Sequence, residues 1–212
     1  MYDNNGDFNF MSMTWAEVWQ RAVTDPSEET YETIISDPAI TTGRAYTWVA
    51  VSAAISAMIS AIGSLINPNV AGLEIGQYIC AVPLAAVFAP IGLMIGTVII
   101  NIFAKAMDGS GSFDRLIIGF AAVNAPLTVI VAAIGLVPVI GPILVLLVGL
   151  YGMYLIVIVT KVVHRFGWAK AFTANFGIML LVACGVICLL TVLAPEVGDV
   201  FDRIQRTLEA QQ

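Results

Sequence analysis

The sequence predicts an all-α fold: a polytopic transmembrane helical bundle of five spans, with short amphipathic helices at both ends. Three observations carry this. The 212 residues are 59% hydrophobic and only 11% charged, with a mean hydropathy of +0.90, whereas soluble domains are about a quarter charged. A soluble chain of this size exposes too much of its surface to hide so much apolar area. From Leu116 to Thr160 there is no Asp, Glu, Lys, Arg or His. At ~1.5 Å per residue, one helix of that length would overshoot a ~30 Å hydrocarbon core, so the run must turn back.

The elements follow in order. Residues 1–44 are a polar head without the basic start and apolar core of a secretory signal. In it, Trp15, Val18, Trp19 and Ala22 recur at helical spacing, an amphipathic stripe with two indoles. Indoles favour the headgroup level, so Trp15 and Trp19 are expected to anchor this helix on the membrane surface, with Trp168 as a third interfacial anchor further along the chain. A second helix is expected from Asp25-Pro26-Ser27-Glu28, with Asp25 as N-cap, Pro26 as first residue and Glu28 closing a capping box. Tyr31, Ile34 and Ile35 give it an apolar edge, and Asp37-Pro38 ends it.

The transmembrane domain occupies 45–194. Its first span covers 45–66 and ends at Asn67-Pro68-Asn69; the second covers 75–103 and contains Pro83 and Pro90, expected to kink it. A polar loop, Lys105 to Arg115, precedes the third span at 116–134. Pro138 and Pro142, between glycines, mark the turn into the fourth span at 143–160, and the fifth covers 171–194. The tail, 195–212, carries Val197, Val200, Phe201, Ile204 and Leu208 as a last amphipathic stripe.

Basic residues orient the bundle. With five spans, the head and the 105–115 and 161–170 loops share one side and hold Arg21, Arg44, Lys105, Arg115, Lys161, Arg165 and Lys170, seven of nine Lys and Arg. The expected location is a bacterial inner membrane, with the head cytoplasmic and the tail on the outer side. A four-span count would return the tail to the inside.

Charge and chemistry narrow the function. A net charge of −6 opposes nucleic-acid binding, which needs a basic face. Cys80, Cys184 and Cys188 lie in apolar runs and are expected to pack as small hydrophobes. His164, among Lys161, Arg165 and Lys170, is expected beside headgroups rather than as a base or metal ligand. That basic cluster suits anionic lipid. Asn124 is expected to satisfy a carbonyl freed by Pro126. No catalytic triad, metal-ligand spacing or phosphate-binding loop is found; the sequence predicts a non-enzyme without cofactor.

The most informative pattern is in the first span. Ser52, Ser56, Ser60 and Ser64 repeat every four residues beside Ala53, Ala57 and Ala61. Small residues at this spacing allow two helices to approach closely in lipid, with hydroxyls available to bond across. The face is expected to be an internal seam or a contact with another membrane protein or a second copy. Gly92-Leu93-Met94-Ile95-Gly96 is a weaker motif of the same kind.

Four stretches resemble the Yip family of small five-span membrane proteins in its short bacterial form. They are the polar head leading through Gly43-Arg44; Gly109-Ser110-Gly111-Ser112-Phe113 with Asn124-Ala125-Pro126; Val137-Pro138-Val139-Ile140-Gly141; and Tyr151, Tyr154-Leu155, Lys161, His164 and Trp168-Ala169-Lys170-Ala171. The resemblance implies five spans, a cytoplasmic N-terminus and a role in membrane organisation through protein contacts. Eukaryotic members are associated with Rab-type GTPases and carry an Asp-Leu-Tyr-Gly-Pro motif in a longer head. That motif is missing here, so GTPase binding does not follow. The expected function is a membrane scaffold or adaptor contacting lipids, other integral membrane proteins or itself. The alternatives are an accessory subunit of a larger membrane complex, or a small-molecule permease, which the lack of intramembrane charge disfavours.

Overall fold

The computed structural model describes residues 13–66 and 75–177, together with the single positions 184, 187, 188 and 191. Regular structure among the described residues is helical: α1 (Trp15–Thr24), α2 (Glu28–Ser36), α3 (Thr42–Ile66), α4 (Ile75–Ala106), α5 (Phe113–Gly135) and α6 (Gly141–His164), then α7 over 168–177. Helices α3 to α6 contain four segments long and apolar enough to cross a membrane. They match the first four expected spans. The fifth expected span falls largely outside the described residues, as do the 67–69 turn, the first twelve residues and the tail.

Local chemistry sets the helix starts. Thr14 caps α1 in a reciprocal box: its hydroxyl accepts the Glu17 N–H at 3.3 Å while the Glu17 carboxylate accepts the Thr14 N–H at 2.8 Å. For α2 the expected cap is corrected. Ser27, not Asp25, is the N-cap and accepts from the Thr30 N–H. Asp25 instead closes α1, and its carboxylate accepts from the Thr30 hydroxyl at 2.7 Å. Ser112 caps α5. Pro83 and Pro90 lie inside a continuous α4, and Pro126 inside α5.

Helix α5 is the centre of the bundle, packing against α1, α2, α3, α4 and α6. Its residues from Leu116 to Val123 are all buried. The approach of α6 is close at Gly119, where an added Cβ would stand 2.5 Å from Val159 Cγ1. Any side chain there would push the two helices apart. The outward side of the bundle is greasy: Val87, Phe88, Ile95, Leu146 and Leu150 are each more than half exposed, the arrangement expected of a body solvated by hydrocarbon.

The serine–alanine face of α3 lies in a helix that packs against both α4 and α5. Ser52, Ala53 and Ser64 are buried, while Ser56, Ser60, Ala57 and Ala61 are half-buried. The hydroxyls do not bond across the seam as expected. Ser52 donates to the Val49 carbonyl, Ser56 to Ser52 and Ser64 to Ala61, all on their own helix, the local alternative open to serine in a helix. Asn124 likewise donates to the Phe120 carbonyl at 2.8 Å, rather than to the Ala122 carbonyl that Pro126 leaves free. The cysteines also differ from expectation: Cys80, Cys184 and Cys188 are free and exposed, not packed inside.

Candidate functional site

The polar chemistry of the chain gathers at the end of the bundle where α3 and α5 begin and α6 ends. The head folds onto this end. Val18 and Ala22 of α1 are fully buried, so the stripe expected to rest on lipid meets protein along those two positions. Trp15 stays 38% exposed and stands edge-on to the buried Trp48 ring at 6.2 Å. Trp19 is half-buried against the core, and its indole N–H has no partner among the described residues. Arg44 ties the head down: its guanidinium donates to the Ala39 and Met13 carbonyls and lies 5.6 Å from the centre of the Trp48 ring.

The last turn of α1 leaves carbonyls without helical partners, and two phenols satisfy them. Tyr31 of α2 donates to Ala22 O and Tyr151 of α6 donates to Val23 O, both at 2.6 Å. Tyr31 is fully buried, and this burial pushes its phenol well above the ordinary range. Helix α2 is stitched down by charge. Glu28 pairs with Lys161 at the end of α6, and Glu32 pairs with Arg115 at the start of α5 at 2.7 Å. These acids are four residues apart on one face of α2, and each reaches a different span.

His164 corrects the sequence reading most sharply. It is not beside headgroups but 2% exposed, beneath the loop joining α4 to α5. Its Nδ1 accepts the Gly111 N–H at 3.2 Å, and the ring stacks on Phe166 at 5.5 Å. The loop needs its glycines. A Cβ on Gly109 would lie 2.6 Å from the imidazole, and one on Gly111 would lie 2.6 Å from the Val163 carbonyl. The signal for this joint was present in the sequence as Gly109-Ser110-Gly111 and a lone histidine, but nothing in their separation of more than 50 residues linked them.

The expected lipid-facing cations are placed as follows. Lys161 is committed to Glu28, and its ammonium lies 4.6 Å from the centre of the Trp168 ring. Lys170 donates to the Met107 carbonyl at 3.2 Å. Arg165 caps α6 in the left-handed region, φ 55°, and is exposed. Trp168 stacks on Tyr154 at 6.0 Å with planes 9° apart, and is 48% exposed. Asn175 crosses from α7 to α6, its amide donating to the Thr160 hydroxyl at 2.9 Å. Among the described residues no three His, Cys, Asp or Glu side chains are grouped to hold a metal ion.

No curated protein and no solved structure matches this chain. The Yip1 domain matches residues 21–191, a stretch that takes in α2 to α7 and every residue of the His164 joint. The chain therefore belongs to the Yip1 family.

Proposed function

We propose that this protein is a non-enzymatic scaffold or adaptor of a bacterial inner membrane, with its head cytoplasmic, acting through helix contacts with other integral membrane proteins or a second copy and through interfacial contacts with lipid. The observation that carries the reading is the outward face of α4. Gly92 and Gly96 have nothing within 4 Å of an added Cβ, and Phe88, Ile91 and Ile95 are exposed beside them. Helix α3, which carries the serine–alanine face, packs against α4 and α5, whereas Gly92 and Gly96 form an open small-residue notch on the outward side of α4. In lipid such a notch favours close helix association through packing. The basic head-side loops support the orientation.

The test is a photo-crosslinking side chain at Ile95, activated in native membranes and followed by mass spectrometry. A discrete protein adduct that disappears in Gly92→Leu/Gly96→Leu, while the monomer keeps its thermal stability, is the expected result. Crosslinking to lipid alone would remove the scaffold reading.

A further inference from the structure

Two grooves meet at Lys161. The first, about 750 Å³, is apolar and runs between α6 and α7, lined by Leu150, Met153, Tyr154, Trp168 and Phe172 among others. The second, about 500 Å³, is polar and lies between α2 and the end of α6, lined by Glu28, Glu29, Glu32, Lys161 and Arg165. Lys161 belongs to the second groove and its ammonium stands over Trp168, which belongs to the first. A greasy channel therefore opens directly beside a charged pocket.

The charges of that pocket pair off incompletely. Glu28 is taken by Lys161 and Glu32 by Arg115. Among the described residues, Glu29 and Arg165 are left without an ion-pair partner, and both are exposed. One carboxylate and one guanidinium thus face a shared space. A guanidinium matches phosphate with its planar fork of donors, and a carboxylate matches an ammonium. We propose that the composite site holds one phospholipid with a phosphoethanolamine headgroup. Its phosphate meets Arg165, its ammonium meets Glu29, and an acyl chain lies along Trp168 and Phe172. An anionic headgroup without an amine would leave Glu29 facing phosphate uncompensated. That is why the pairing favours a zwitterion over the anionic lipid that the basic residues alone suggest. The proposal rests on the reading that this end of the bundle sits at headgroup level, and is independent of the scaffold contact at α4.

The test uses the full chain in mild detergent, equilibrated with equimolar phosphatidylethanolamine and phosphatidylglycerol of identical acyl chains, with retained lipid counted by native mass spectrometry. Wild type is expected to retain phosphatidylethanolamine several-fold over phosphatidylglycerol. Glu29→Gln, at an exposed position, is expected to lose that preference without a change in melting temperature, and Arg165→Gln to lower retention of both lipids. Gly92→Leu/Gly96→Leu, which probes the scaffold contact, is expected to keep the preference. Equal or greater retention of phosphatidylglycerol by wild type, or an unchanged preference in Glu29→Gln, overturns the proposal.

Discussion

The Tyr151 hydroxyl donates to the Val23 carbonyl at 2.6 Å, joining two residues 128 positions apart in the chain. The bond does two things at once: it satisfies a carbonyl at the open end of α1 and fastens the head to the fourth span. Tyr151→Phe keeps the ring and removes only the donor. It is expected to cost about 1 kcal/mol, the usual net worth of one hydrogen bond. Amide hydrogen exchange in α1 should quicken while α5 stays protected. Unchanged exchange in α1 would mean that the buried stripe alone holds the head.

His164 and Gly111 form a coupled pair. Replacing His164 with Ala strands the buried Gly111 N–H, an expected loss of about 1–3 kcal/mol. Gly111→Ala drives a Cβ into the Val163 carbonyl and is expected to lower the melting temperature comparably. Because both changes break one joint, the double variant should lose less than the sum of the two. Strict additivity would count against the joint.

The head has an acid-sensitive corner. The Thr14 N–H and hydroxyl hold the Glu17 carboxyl below its ordinary value of 4.5. A depressed folded value means that the cap contributes fully above pH 4.5 and loses its contribution as pH falls through the lower folded value. Fraying of α1 should therefore begin only in that acid range, seen as faster amide exchange at Val18. Glu17→Gln should make the first turn of α1 insensitive to pH across the same window.

The seam of α3 separates two kinds of substitution. Ser56 bonds to its own helix, so Ser56→Ala is expected to change the melting temperature little. Ala53 is 7% exposed in the packed seam, and Ala53→Leu is expected to cost about 1–3 kcal/mol through overpacking. If Ala53→Leu leaves the detergent-solubilised protein as stable as wild type, this face does not pack as described.

Hydrophobic runs made the four described spans legible, because length and apolarity are local properties that lipid imposes on each segment separately. The α3 to α6 boundaries accordingly fall within a few residues of those expected. What was not legible depends on partners far away in the chain. The Trp15–Val18–Ala22 stripe looks the same whether it faces lipid or α5. His164 reads as a surface residue until the Gly109–Gly111 loop is folded over it. Lys161 reads as a free cation until Glu28 arrives from 133 residues earlier. The misplaced N-cap of α2 has a different cause: Asp25 and Ser27 are both good caps, and Asp25 is taken up as the C-cap of α1 while Ser27 accepts the Thr30 N–H.

The distances along the chain between the head and its partners fix an order of assembly. Glu28 is synthesised long before Lys161, and Val23 long before Tyr151, so the head leaves the ribosome with no place to dock. Until the fourth span is made, α1 has α5 to pack against but lacks the Tyr151 hydroxyl, and α2 lacks the Lys161 ammonium. Full docking of the head thus waits for the fourth span rather than preceding it. A chain truncated before position 151 would insert its early spans yet lack both tethers, Tyr151 to Val23 and Lys161 to Glu28, that fasten the head to α6.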